Sequence, residues 1–144
     1  MSEKVVIRYP DGKILKGHVV HFSETDEDIK IKEDDTNKEM TIPVADLKAV
    51  FFVRSFEGKR TYSEKKIYGI REKKGDRAFV KFKDGETLMG FLIGDVPWDK
   101  KKGYFISKVE SDQKGFFIMP VDRGSNNIKT FVLLGAVEDV SIMH

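Results

Sequence analysis

Three groups of residues in this chain could do chemistry by type and spacing: a histidine pair, runs of carboxylates, and a run of cations. His18 and His21 would hold a metal only if their rings converged. A spacing of three on an alternating strand sends the two rings to opposite faces, so no shared ligation is expected. Glu24-Thr25-Asp26-Glu27-Asp28 and Asp34-Asp35 offer oxygen ligands, but neither run has the alternating ligands, central Gly and distal Glu of an EF-hand. They read as solvated turns. Ser125-Asn126-Asn127 after Gly124 reads as turn chemistry, since Asn tolerates left-handed backbone. No Ser, His and carboxylate set has the relation of a catalytic triad and no general acid or base stands out, so the expectation is a protein that is not an enzyme and carries no cofactor.

The cations are unevenly spread. Residues 1–53 hold 8 Lys/Arg against 11 Asp/Glu, residues 54–77 hold 9 against 4, and residues 78–144 hold 9 against 9. The basic excess therefore sits in the stretch 54–77, where Arg60, Lys65, Lys66, Arg71, Lys73 and Lys74 could meet phosphates and Tyr62 or Tyr68 could stack a base. Its own acidic residues dilute that charge, and the stretches on either side show almost no basic excess. Only weak binding of nucleic acid is expected, as the rival to a protein-binding function.

The elements that must position these residues come from a phrase written twice. Val5-Val6-Ile7-Arg8-Tyr9-Pro10-Asp11-Gly12-Lys13-Ile14-Leu15-Lys16-Gly17 returns 73 residues later as Ala78-Phe79-Val80-Lys81-Phe82-Lys83-Asp84-Gly85-Glu86-Thr87-Leu88-Met89-Gly90. Alternating apolar residues, an Asp-Gly turn and a second Gly keep their places, which is the pattern of a hairpin whose second strand bends at Gly17 or Gly90. Strands are expected at Val5–Tyr9, Ile14–Phe22, Ile29–Ile31, Met40–Val44 and Ala49–Val53, with one helical turn over Val44–Lys48. In the second copy, Ile29 and Ile31 map onto Phe116 and Ile118 at a spacing of 87. Val44, Leu47, Ala49, Val50 and Val53 are read onto Phe131, Leu134, Ala136, Val137 and Val140 at the same spacing. The change from 73 to 87 adds a hairpin with its tip at Val96 to Lys102.

The expected fold is thus all-β: two tandem five-stranded small barrels, residues 1–53 and 78–144, joined by a basic connector, 54–77. Units of that size bury only about 60% of their unfolded surface, so a packed pair is expected. Phe51-Phe52 and Phe116-Phe117 each send one ring to either side of a strand, so one ring of each pair needs cover from outside its own barrel. The other module would supply it, or a partner would. Phe52 and Phe117 are accordingly candidates for partner contact, with Trp98, the only tryptophan, in a polar tip beside Pro97. A homodimer and a second protein both remain open as the partner.

Five short strands, the Asp-Gly turn followed by a strand Gly, and the helical turn before the last strand resemble the Sm-like small barrel, and Src-homology-3-like barrels carry the same pattern. That family's N-terminal helix and its RNA-pore residues have no counterpart here. Over nearly the whole chain, Asp46 to Gly58, Asp84 to Gly90 and Gly115 to Asp122 with Ser125-Asn126-Asn127 resemble a widespread bacterial family of small proteins without assigned function, found beside PilZ domains. The resemblance implies a bacterial cytoplasmic origin. PilZ domains bind cyclic di-GMP through an Arg-x-x-x-Arg and an Asp/Asn-x-Ser-x-x-Gly. No Arg pair here has that spacing and Asp139-Val140-Ser141 lacks the final Gly, so cyclic di-GMP is not an expected ligand. Zero cysteines exclude a disulfide framework and thiol chemistry and suit a reducing cytoplasm. No stretch approaches the roughly 20 apolar residues of a membrane helix.

Overall fold

The computed structural model describes residues 3–23, 25–56, 76–94, 96, 114–121 and 126–143. Among these described residues ten strands form: β1 (Lys4–Arg8), β2 (Ile14–His21), β3 (Asp28–Glu33), β4 (Glu39–Pro43), β5 (Ala49–Val53), β6 (Arg77–Phe82), β7 (Thr87–Ile93), β8 (Gly115–Pro120), β9 (Asn127–Leu133) and β10 (Val137–Met143). The only helical pieces among the described residues are 3₁₀ turns at Val44–Asp46 and Leu134–Ala136, and no helix there is long and apolar enough to cross a membrane. The all-β expectation holds, and β5 begins and ends where the apolar run Ala49–Val53 predicts.

All ten strands belong to one antiparallel sheet in the order β10-β6-β7-β8-β9-β5-β1-β2-β3-β4, with β10 and β4 as its edges. The strand order β5-β1-β2-β3-β4 recurs as β10-β6-β7-β8-β9, each number raised by five. The two sets are joined by β5 against β9, through Ala49 opposite Val132, Val50 opposite Phe131 and Phe51 opposite Thr130. Strand β4 ends the sheet bluntly. Backbone bonds pair Glu33 with Lys38 and Val44 with Glu27, so Glu39, Thr41 and Pro43 turn their main chains outward, and Pro43 has no N–H to offer.

Register decides which residues are equivalent. Gly17 lies opposite Val5 and Glu33, and Gly90 opposite Ala78 and Pro120, so the offset is 73 in the first two strands and 87 in the third, as the sequence suggests. Both 3₁₀ turns and both last strands, however, are related by 90. Val50 faces Ile7 as Val140 faces Val80, and Phe52 faces Val5 as Ile142 faces Ala78. The reading of Val50 onto Val137 and Val44 onto Phe131 is therefore corrected to Val140 and Leu134. Apolar residues recur often enough in both stretches for either alignment to look periodic. Only hydrogen-bond register separates them.

Glycine matters here for space and for turns. A Cβ at Gly17 would stand 2.6 Å from the Lys32 carbonyl oxygen, and one at Gly90 would stand 2.4 Å from that of Met119. Both positions let a neighbouring strand cross close by as the sheet bends. Gly12 and Gly85, at φ 94° and 95°, close the two Asp-Gly turns.

Two cores result. One gathers Val5, Ile7, Ile29, Ile31, Ile42, Val50 and Phe52 with Phe131 and Leu133 from β9. The other gathers Ala78, Val80, Leu92, Phe116, Ile118, Val140 and Ile142 with Val132. Cross-strand partners share a face, so Ile7, Val50, Phe131 and Phe117 mark one side of the sheet and Arg8, Ala49, Val132 and Phe116 the other. The cores therefore lie on opposite sides, and β9 is buried on both.

Candidate functional site

Because the cores sit on opposite sides, each half of the sheet turns its other side outward, and these outer faces can be compared position by position. On β1, β2 and β3, the outward row Lys4–His18–Lys32 runs across three paired strands, with Val6–Lys16 beside it. The equivalents on β6, β7 and β8 are Arg77–Phe91–Met119 and Phe79–Met89. Lys16, His18 and Lys32 are thus answered by Met89, Phe91 and Met119. Phe79 and Met89 stay 38% and 45% exposed.

The basic face is built by alternation. Ile29 and Ile31 point into the core, so Lys30 and Lys32 between and after them must point out. A bulge between Val19 and His21 lets His21 pair with Lys30 while His18 pairs with Lys32. Both histidines consequently share the outer face, which corrects the expectation of opposite faces: the extra residue of a bulge breaks the period of two. They do not converge on a metal. His18 meets the Phe56 ring edge-on at 5.5 Å, and His21 lies 3.3 Å from Asp26. No group of three metal-ligating side chains occurs among the described residues. Lys4 Nζ stands 5.9 Å over the Phe56 ring, and Lys16 Nζ donates to the Phe56 carbonyl at 3.4 Å. Among the described residues Lys4, Lys16 and Lys32 have no carboxylate within ion-pair distance, whereas Arg8 has Glu86 at 3.8 Å and Lys30 has Glu39 at 4.0 Å. Charge that is net acidic along residues 1–53 is therefore segregated in space, with Lys4, Lys16, Lys30 and Lys32 on one sheet face and many of the carboxylates in turns. A face without basic excess, as charge counting suggests, is not what forms.

The aromatic candidates fall differently. Phe52 is 3% exposed inside the N-terminal core, and Phe117, half-buried, packs its ring 5.8 Å from Phe52 and 4.9 Å from Phe131. Phe117 is the ring that the other half covers, as the pairing of Phe116-Phe117 suggested. Lys129 Nζ lies 4.8 Å over Phe52 and 4.9 Å over Phe117, adding cation–π attraction to the same cluster. Little of the Phe52 ring is left for a partner, while part of Phe117 stays exposed. Trp98 and the connector residues Arg60, Lys65, Lys66, Arg71, Lys73 and Lys74 lie outside the described residues.

Two seam residues carry roles that sequence reading missed. Lys48, only 5% exposed, enters the turn of the β6–β7 hairpin, with Nζ 2.7 Å from Asp84, paired to Glu86, and 4.8 Å over the Phe82 ring. Asn126 accepts from Ser55 N–H through Oδ1 and donates to the Ser55 carbonyl through Nδ2, both at 3.0 Å, which ties the end of β5 to the β8–β9 loop. Its amide thereby works as a strand's backbone would, rather than as turn chemistry alone. A neighbouring groove of about 430 Å³ is lined by Glu27, Asp28, Pro43, Val44, Lys114 and Leu133. Burial, then Asp46 and Asp11, hold the Tyr9 hydroxyl above its usual range, so it stays protonated at neutral pH.

Residues 1–144 match the family model described as a family of unknown function, DUF6982. The chain belongs to DUF6982. No curated protein and no solved structure matches it. In this DUF6982 member the two outer faces and the seam are where the two halves differ in chemistry.

Proposed function

We propose that this chain is a non-enzymatic protein-interaction module, a regulatory adaptor, that receives a protein partner on the outer face of β6–β8. One observation carries the reading: Phe79 and Met89, directly opposite each other on paired strands, are both exposed, with Phe91 and Met119 extending the same apolar side. A contiguous apolar sheet face costs free energy in water, and such patches mark interaction surfaces more often than they mark nothing. A protein partner with a complementary apolar strip would cover it, whether a second copy of this chain or another protein. The reading extends to origin and place: two tandem small barrels of Sm-like type from one duplication, supported by the recurring strand order and the matched bends at Gly17 and Gly90, and a bacterial cytoplasmic location, which the family resemblance implies and the lack of cysteine suits.

A photo-crosslinking residue placed at Phe79, and in a second variant at its equivalent Val6, tests this in the native host. The expected result is an adduct of one discrete mass from position 79 that is lost when Met89→Lys is added. Adducts of equal yield from both positions, or none from position 79, would reject the apolar face as the docking site.

A further inference from the structure

We infer that the outer face of β1–β3 binds single-stranded nucleic acid. The argument starts from the three lysines that alternation brings together. Lys4, Lys16 and Lys32 sit on three adjacent strands about 4.8 Å apart, with no carboxylate within ion-pair distance among the described residues, and His18 lies between them. Unpaired like charges held on a rigid sheet repel one another, and a polyanion threaded across them relieves that repulsion while releasing its counterions. Carboxylates reach the rim, Glu39 opposite Lys32 and 4.0 Å from Lys30, Asp28 on the outward side of β3, and Glu86 beside Arg8, so the positive part of the face is centred on Lys4, Lys16 and His18.

The rings decide which polyanion. Phe51 and Phe56 are half-buried on this same face, Phe51 opposite Val6 and under the Arg8 guanidinium at 5.6 Å, Phe56 among Lys4, Lys16 and His18. Aromatic rings set among cations give bases a surface to stack on and phosphates a partner within one nucleotide's reach, which an acidic peptide would leave unused. The chain also leaves this face at Phe56 into the stretch where residues 54–77 carry 9 basic residues against 4 acidic ones, so the positive charge of the face is continued in the sequence.

Fluorescence anisotropy with a labelled oligouridylate of about fifteen nucleotides, on the full chain between about 50 and 200 mM salt, tests the assignment. Binding should weaken with a slope near −2 to −3 in log K against log salt, as about three to four neutralised phosphates require. Lys4→Gln, Lys16→Gln and Lys32→Gln together should cost about tenfold or more and flatten the slope by about 2, while the exposed turn lysines changed alike, Lys13→Gln, Lys38→Gln and Lys83→Gln, should leave both nearly unchanged. Thermal melting of both triple variants checks that each is folded. No binding by the unaltered chain, equal loss in the two triple variants, or loss only on neutralising Lys65, Lys66, Lys73 and Lys74 would overturn the site. Polyglutamate of equal length binding as tightly as the oligonucleotide would overturn the nucleic acid in favour of an acidic peptide.

Discussion

The outer face of β1–β3 and the outer face of β6–β8 occupy the same place in two halves with the same strand order; Lys4 and Val6 are matched in kind by Arg77 and Phe79, but the centre of the face changes chemistry. Lys16, His18 and Lys32 on one side stand where Met89, Phe91 and Met119 stand on the other. Inward positions tell the opposite story. Val5, Ile7, Ile31 and Val50 are matched by Ala78, Val80, Ile118 and Val140, all of them fully or almost fully buried. A scaffold is fixed by what must pack and by where a strand must bend, and its outer surface is free to change chemistry without cost to the fold. The same contrast holds at the edges: β9, buried on both sides, presents Phe131 and Leu133 where β4 presents Thr41 and Pro43, so one strand joins the halves and its counterpart stops the sheet.

The comparison breaks first where the two halves are claimed to be alike. Gly17→Ala and Gly90→Ala each place a Cβ against a backbone oxygen that belongs to a paired strand and cannot swing aside. Each should destabilise by roughly 1–3 kcal/mol, seen as a fall in melting temperature of roughly 3–10 °C. A large fall from one and none from the other would mean that the two bends are not equivalent. The next test sharpens a difference. Lys48 and Glu138 are both the second residue after a 3₁₀ turn, but Lys48 is buried against the Asp84 and Glu86 turn while Glu138 pairs with Lys81 at 3.1 Å on the surface. Lys48→Ala should cost about 1–3 kcal/mol in chemical denaturation, because it empties a packed site and strips two carboxylates of their cation. Glu138→Ala should change stability by less than about 0.5 kcal/mol.

Much of this was legible in the residues, and what was not has physical causes. Turns announce themselves through Asp-Gly, and a strand such as Ala49–Val53 through its apolar run, because both signals are local. The offset of 90 in the last two strands was hidden because three added residues between β8 and β9 leave apolar periodicity intact. The shared face of His18 and His21 was hidden because a bulge leaves no composition signal. The basic face was readable in principle: lysines at alternate positions of β3 flank inward isoleucines, but a charge count along the chain averages over both sides of a strand. The seam, by contrast, could not be read locally. Lys48 is buried only because a hairpin 38 residues away folds over it, and Asn126 reaches Ser55 across 71 residues.

The central claim, two equivalent faces of opposite chemistry that take different ligands, is tested most directly by amide chemical shifts of the full ¹⁵N-labelled chain. Oligouridylate should move the amides of Lys4, Lys16, His18 and Lys32, and the neutral apolar dye Nile red should move those of Phe79, Met89, Phe91 and Met119, with the two sets disjoint. Overlapping sets, or shifts confined to residues 57–75 and the seam, would contradict it.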